Sequence, residues 1–333
     1  VLVSAIVVRH LLPRRGVGFA IVTGCALACA ALLFLAFASP PAPAWWRMIG
    51  LFVVGLATGM LNTAIFHAIS PNFRINGAAT VNLAGILFGL GSLLASLLVA
   101  GTFYAYSVAA ILCLLALAPA SFAVLYSRTS FPEPAIETQG FRRGLAEFKS
   151  PAAVLLALLL FLQFGNEWLV AGWMALFLTH RLGISPESSL GMVAVYWAAL
   201  TAGRLGALAI LPRVSHGRLL IKSAAAALLG CVILMLTDNR AGAYVGLLLI
   251  GAGFAPIYPL VAEKIGHRFT HYHPGLFNGI FSLAMVGAML EPATAGYLAG
   301  PLGMGIVMAL PLAGTCLVFA VILLIWLESK LGG

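Results

Sequence analysis

Apolar runs of about 20 residues recur from one end of this chain to the other, each the length that carries a helix across a hydrocarbon core. Read between Pro, Gly and charged clusters, ten such spans fall at 17–38, 48–69, 78–100, 104–126, 152–179, 188–211, 217–237, 242–262, 276–299 and 303–327. Residues 1–8 are too short to cross, end at Arg9, and read as the tail of an eleventh helix. Alternating apolar and polar residues, the mark of an outer-membrane barrel, are absent. The expectation is an all-α polytopic membrane protein. With 62% hydrophobic and only 8% charged residues, the chain has too much apolar surface for a soluble globule. Soluble enzymes, nucleic-acid binders and disordered scaffolds are excluded, and the partners expected are the lipid bilayer and a small-molecule substrate, with the chain acting as a monomer.

The net charge of +9 then has another use. If the spans alternate, the connections 9–16, 70–77, 127–151, 212–218, 263–275 and the C-terminus share one side. With Lys222 just inside the next span, that side carries 14 of the 18 Lys and Arg residues. The opposite side has Arg47, Arg181 and Arg240, and Arg204 is left inside a span. This bias assigns the basic loops and the C-terminus to the cytoplasm, and the protein to the cytoplasmic (inner cell) membrane. The five cysteines, Cys25, Cys29, Cys113, Cys231 and Cys316, lie in apolar runs without a CxxC pair and read as packing residues. The opening Val-Leu-Val-Ser has no charged n-region, so it is no signal peptide and looks like a chain entered partway through.

The longest connection, 127–151, is polar and Pro-punctuated, the natural linker between two halves. Phe141, Leu145 and Phe148 stand there at helical spacing among basic residues, which predicts a short interfacial helix. The halves repeat. Leu12-Pro-Arg14 recurs as Leu211-Pro-Arg213, Asn76-Gly77 as Asn278-Gly279, and the segment ending at Gly101 as that ending at Gly300, with offsets of 199, 202 and 199. Duplicated halves are a habit of transporter folds. The domains expected are an N-terminal bundle at 1–126, a cytoplasmic linker at 127–151 and a six-helix C-terminal bundle at 152–333. If the halves were built alike, roughly 50 residues, one helix and most of another, would precede Val1 in a six-plus-six parent.

The motifs themselves carry a resemblance. Arg9-His-Leu-Leu-Pro-Arg-Arg-Gly16 and Gly203-Arg-Leu-Gly-Ala-Leu-Ala-Ile-Leu-Pro-Arg-Val-Ser-His-Gly-Arg218 look like the two copies of the basic loop of the major facilitator superfamily. Gly165-Asn-Glu-Trp-Leu-Val-Ala-Gly-Trp173 and Tyr196-Trp-Ala-Ala-Leu-Thr-Ala-Gly-Arg204 are similar to its fucose-permease-like branch. The first loop departs from the family pattern, because no acidic residue occurs anywhere in residues 1–132. What the resemblance implies is two pseudo-symmetric helical bundles rocking around a central site. It further implies a sugar or other small polar solute as substrate, and protons as the coupling ion. No cofactor is expected beyond an ion gradient.

Carboxylates in hydrocarbon are costly and therefore candidates for function. Glu167 and Glu291 each lie about 15 residues into a span, roughly 22 Å deep. Gln163, Asn166 and Glu167, at i, i+3 and i+4, form a polar stripe on an apolar helix. Glu167 would accept hydrogen bonds from a solute or carry a proton, or else cap a helix or meet a buried Arg. Glu291 precedes Pro292, where a carboxyl either serves function or satisfies the broken turn. Counted by Cα depth, Arg204 is too shallow to pair directly with Glu167 and is expected as a gate or packing contact, beside the basic-loop residues Arg14, Arg213 and Arg218. Asn62, Asn82 and Asn278 would line the cavity or bridge helices. Tyr258 sits in Pro256-Ile-Tyr-Pro259, where two prolines must break the helix. Trp168, Trp173, Tyr196 and Trp197 would stack on a sugar face or serve as interfacial bulk.

His267, His271 and His273 lack a fourth ligand in reach, so no metal site is expected. No Walker loop, HExxH or GxSxG occurs, so neither an ATP-driven pump nor a hydrolase has support. The function expected is secondary active transport of a small polar solute, a sugar, by proton-coupled alternating access, not an enzyme. The alternative is an efflux carrier for amphipathic compounds on the same fold.

Overall fold

The computed structural model describes residues 2–75, 77–131, 151–211, 213–268 and 274–331. Every element among them is a helix: α1 Leu2–Phe37, α2 Ala44–Ile75, α3 Gly77–Thr102, α4 Val108–Ser127, α5 Pro151–Leu182, α6 Pro186–Ile210, α7 His216–Leu236, α8 Arg240–Phe254, α9 Ile257–Arg268, α10 Pro274–Leu302 and α11 Ile306–Leu331. Nine segments among the described residues are long and apolar enough to cross a membrane. The expected interfacial helix around Phe141, Leu145 and Phe148 lies outside the described residues, as do the side chains of His267, His271 and His273.

Capping explains where several helices begin. Ser107 accepts from the Ala110 amide at 3.3 Å, so α4 starts at Val108 and not at the first apolar residue, 104. Ser185 accepts from the Ser188 amide at 3.4 Å ahead of Pro186, and Asn239 from the Gly242 amide at 2.8 Å. In each case a short polar side chain satisfies an amide that the first turn leaves without a partner. The expected loop at 9–16 is instead helical up to a break at Gly16, whose φ of 78° is open to glycine and strained for other residues. One residue makes the turn that eight were expected to make.

The prolines act as expected in the span read at 242–262. It is interrupted between α8 and α9, with Pro256 at the break and Pro259 in the first turn of α9, where a missing N–H costs nothing.

Two compact units emerge, one of residues 1–76 with 101–138, the other of residues 77–100 with 139–333. In the first, α1 packs on α2 and α4 around Val17, Ile21, Cys25 and Met60. Gly24 sits so close to Leu61 that an added Cβ would lie 2.9 Å from its Cγ. The second unit takes in most of α3 together with α5–α11. At its centre is α5, packed on α6, α9, α10 and α11, while α7 and α8 pair with each other. This central place buries Leu156, Leu160, Leu169, Met174 and Leu178, and with them the three polar residues of the stripe.

Candidate functional site

The polar stripe of α5 is fully inside the second unit: Gln163 and Asn166 are 0% exposed and Glu167 8%. It does not face one way. Residues four apart share a face, whereas adjacent residues are turned about 100° from each other. Glu167 reaches toward Arg204 of α6, while Asn166 turns to α11. There its amide donates to Thr315 Oγ1 at 3.5 Å, and Thr315 in turn lies 3.9 Å from Cys231 Sγ on α7.

On the α6 side, Arg204 Nη2 stands 3.6 Å from Glu167 Oε1, with the two side chains 5% and 10% exposed. The expectation that Arg204 is too shallow for this contact is overturned. Depth counted along the backbone stops at Cα, and the guanidinium sits at the end of a long, flexible stem. Nη1 of the same group donates to the Gly85 carbonyl of α3. A Cβ on Gly85 would come within 3.0 Å of Nη1 and 3.2 Å of Cζ, so the missing side chain is what lets the guanidinium reach the backbone.

Around this ion pair several polar atoms are buried without a hydrogen-bond partner: the Tyr196 hydroxyl, Arg204 Nε and, apart from the adjacent Glu167 carboxyl, both amide atoms of Gln163. Tyr196 is 0% exposed and lies within electrostatic reach of both Glu167 and Arg204. Trp197 is next to it, with ring centroids 5.3 Å apart, and Phe88 of α3 meets Trp197 edge-on at 5.7 Å and Trp168 at 6.1 Å. The result is a carboxylate, a guanidinium, an amide and a phenol walled by three aromatic rings. Buried donors and acceptors without partners are rare because each costs about 1–3 kcal/mol.

The other expected residues go elsewhere. Trp173 packs against α10, where a Cβ on Gly296 would fall 2.9 Å from Cζ2. The Tyr258 ring meets Phe164 edge-on at 5.2 Å. Glu291 of α10 points at Gly165 of α5, on the opposite flank of the stripe from Arg204. Asn82 of α3 is 1% exposed with its Oδ1 unpartnered among the described residues, and Asn62 is half-buried in the first unit. Arg213 and Arg218 are exposed; the side chains of Arg14 and Asn278 lie outside the described residues. Near the basic loop, His216 Nε2 lies 3.0 Å from Glu263 Oε2, joining the start of α7 to α9.

Sequence reasoning missed Thr315, Phe88 and Gly85. A lone Thr in the apolar run of α11 was the available signal for the first. Nothing local marks the other two.

Residues 78–290 match the sequence profile of the Major Facilitator Superfamily. The chain is 25% identical over 146 residues to an uncharacterized MFS-type transporter of Yersinia pestis, a match covering 44% of this chain and 38% of that relative. Two solved structures align over 97% of this chain with 16% identity. One is the E. coli fucose:proton symporter FucP in a single-residue variant, with a TM-score of 0.62 and 87% of that chain covered. The other is an MFS transporter, FucP, in the outward conformation, with a TM-score of 0.66 and 86% covered. At this identity the likeness shows a shared fold.

Proposed function

The chain belongs to the Major Facilitator Superfamily, and from that membership we propose that it is a secondary active transporter of a small polar solute, a sugar, driven by a proton gradient. The observation that carries this reading is the group of unpartnered polar atoms around Glu167 and Arg204. A polyhydroxylated solute supplies the donors and acceptors that Gln163, Tyr196 and Arg204 Nε lack, and its apolar ring face suits Trp197 and Phe88. Specificity for hydroxyls follows from the same fact, because an analogue without them leaves these groups buried and unpaired. The fucose:proton symporters that share the fold support sugar and proton as cargo and coupling ion.

Alternating access opens and closes this face by movement of the helical bundles. Glu167, compensated by Arg204, acts as a hydrogen-bond acceptor for substrate hydroxyls. Asn82, the buried side-chain amide of α3, is the candidate contact from the neighbouring helix. The basic loops lie in the cytoplasm and the protein works as a monomer in the cytoplasmic membrane.

Uptake of a panel of labelled sugars into proteoliposomes, with and without an inward proton gradient, tests the proposal. Accumulation of one sugar that depends on the gradient is expected. Export of amphipathic cations with no sugar uptake would replace the proposal with the efflux alternative.

A further inference from the structure

The two membrane carboxylates of the second unit have different surroundings, and the difference assigns them different work. Glu167 has a guanidinium 3.6 Å away. Glu291, at the middle of α10, has no cation beside it among the described residues. Its Oε1 is buried without a hydrogen-bond partner, and its Oε2 lies against Gly165, where a Cβ would overlap it. Of the helices packed on α10, α5 brings Glu167, already engaged by Arg204, and His180 and Arg181 at its far end. α11 brings Cys316, which is exposed, and Glu328 and Lys330 in its last turn; Cys231 of α7 lies within electrostatic reach of the carboxyl. The remaining polar groups on that flank, Asn166 and Thr315, are uncharged and bonded to each other.

An ionised carboxylate held in hydrocarbon without a counter-charge costs far more than a neutral acid in the same place. Pro292 has no N–H to give the Ala288 carbonyl one turn back, and a protonated carboxyl can donate a hydrogen bond where a carboxylate cannot.

We propose that Glu291 is the proton-carrying group of this transporter, taking up one proton from the aqueous phase on one side of the membrane and releasing it to the other, while Glu167 stays ionised beside Arg204. An O–H bond forms at the Glu291 carboxylate on loading and breaks on release; nothing else is exchanged. Gly165 makes room for the carboxyl against α5, so a movement between α5 and α10 that exposes Oε1 to water is the releasing step. The inference deepens the proton-coupled reading above and rests on it.

Two experiments on the full protein separate the failure of one from the failure of the other. The first needs no substrate: infrared difference spectra of the purified protein in lipid at neutral pH, which register the C=O stretch of a protonated carboxylic acid. Wild type is expected to show the band, Glu167→Gln to keep it and Glu291→Gln to lose it. A band that appears in wild type only when sodium is removed, or that is lost in Glu167→Gln and kept in Glu291→Gln, would overturn the proposal. The second compares substrate exchange with accumulation. Glu291→Gln is expected to keep sugar exchange across the membrane and to lose gradient-driven accumulation; retained accumulation overturns the assignment. Should Glu291→Gln fail to fold, Glu291→Asp keeps a protonatable group, and the folded Asp protein must retain both the band and the gradient response.

Discussion

Replacing Glu167 with Gln removes the partner of a cation that has no neutral form. At 3.6 Å, and with an effective dielectric constant of about 20, the attraction in the pair is about 4–5 kcal/mol. Deleting one member of a buried pair costs about 3–5 kcal/mol, because the survivor is left charged and desolvated. The two deletions are not equivalent. Arginine cannot shed its proton in a protein, whereas a carboxyl left alone can take one up. Glu167→Gln is therefore expected to lose about 3–5 kcal/mol. Arg204→Gln should lose about 1–3 kcal/mol, the cost of leaving the Gly85 carbonyl contact and the Glu167 carboxyl without a donor. The double variant should be less damaged than Glu167→Gln alone, and the mismatch between the double and the sum of the singles is the coupling energy. Equilibrium unfolding in mixed detergent micelles, run as a double-mutant cycle, reads all three. Additive losses, or a larger loss from Arg204→Gln than from Glu167→Gln, would refute the reasoning.

Four further substitutions test the helix packing and the break in α1. Gly287→Ala on α10 brings a Cβ onto the Phe161 backbone carbonyl of α5, which cannot swing aside, and should cost at least about 1–3 kcal/mol; Gly172→Ala on α5, with nothing within 4 Å of its added Cβ, should be neutral or stabilising by up to about 1 kcal/mol. Gly16→Ala meets no neighbour but must hold a φ of 78° with a ψ of 170°, so its loss of about 1–3 kcal/mol in thermal unfolding is purely conformational. Thr315→Val leaves the buried Asn166 amide without its acceptor and should cost about 1–3 kcal/mol while leaving substrate affinity unchanged.

Hydropathy is a local property, so the spans and the break at Pro256-Ile-Tyr-Pro259 could be read from residue order alone. The break at Gly16 could not, because a backbone dihedral has no residue-level signature beyond the presence of glycine. Gln163, Asn166 and Glu167 were legible as buried polar residues, since their spacing places them on one side of a helix. Their division between α6 and α11 was not, because that depends on which helix packs over each flank. The Glu167–Arg204 pair escaped for a related reason: backbone depth ignores a side chain long enough to cover the difference. Gly85, an ordinary small residue in sequence, receives the guanidinium only because α3 passes beside α6. The contrast between Glu167 and Glu291 exists only in three dimensions, where one has a cation at hand and the other a glycine.

The central claim is that substrate hydroxyls meet the unpartnered polar face of α5 and α6. The most direct measurement is gradient-driven uptake by Gln163→Leu, using the sugar that the wild-type protein accumulates. If Gln163 binds that sugar, removing its amide should raise KM about tenfold or more, since an unmet hydroxyl partner costs about 1–3 kcal/mol and each 1.4 kcal/mol is a factor of ten. A correctly folded Gln163→Leu protein with wild-type KM and rate would contradict the account and move the binding site off this face.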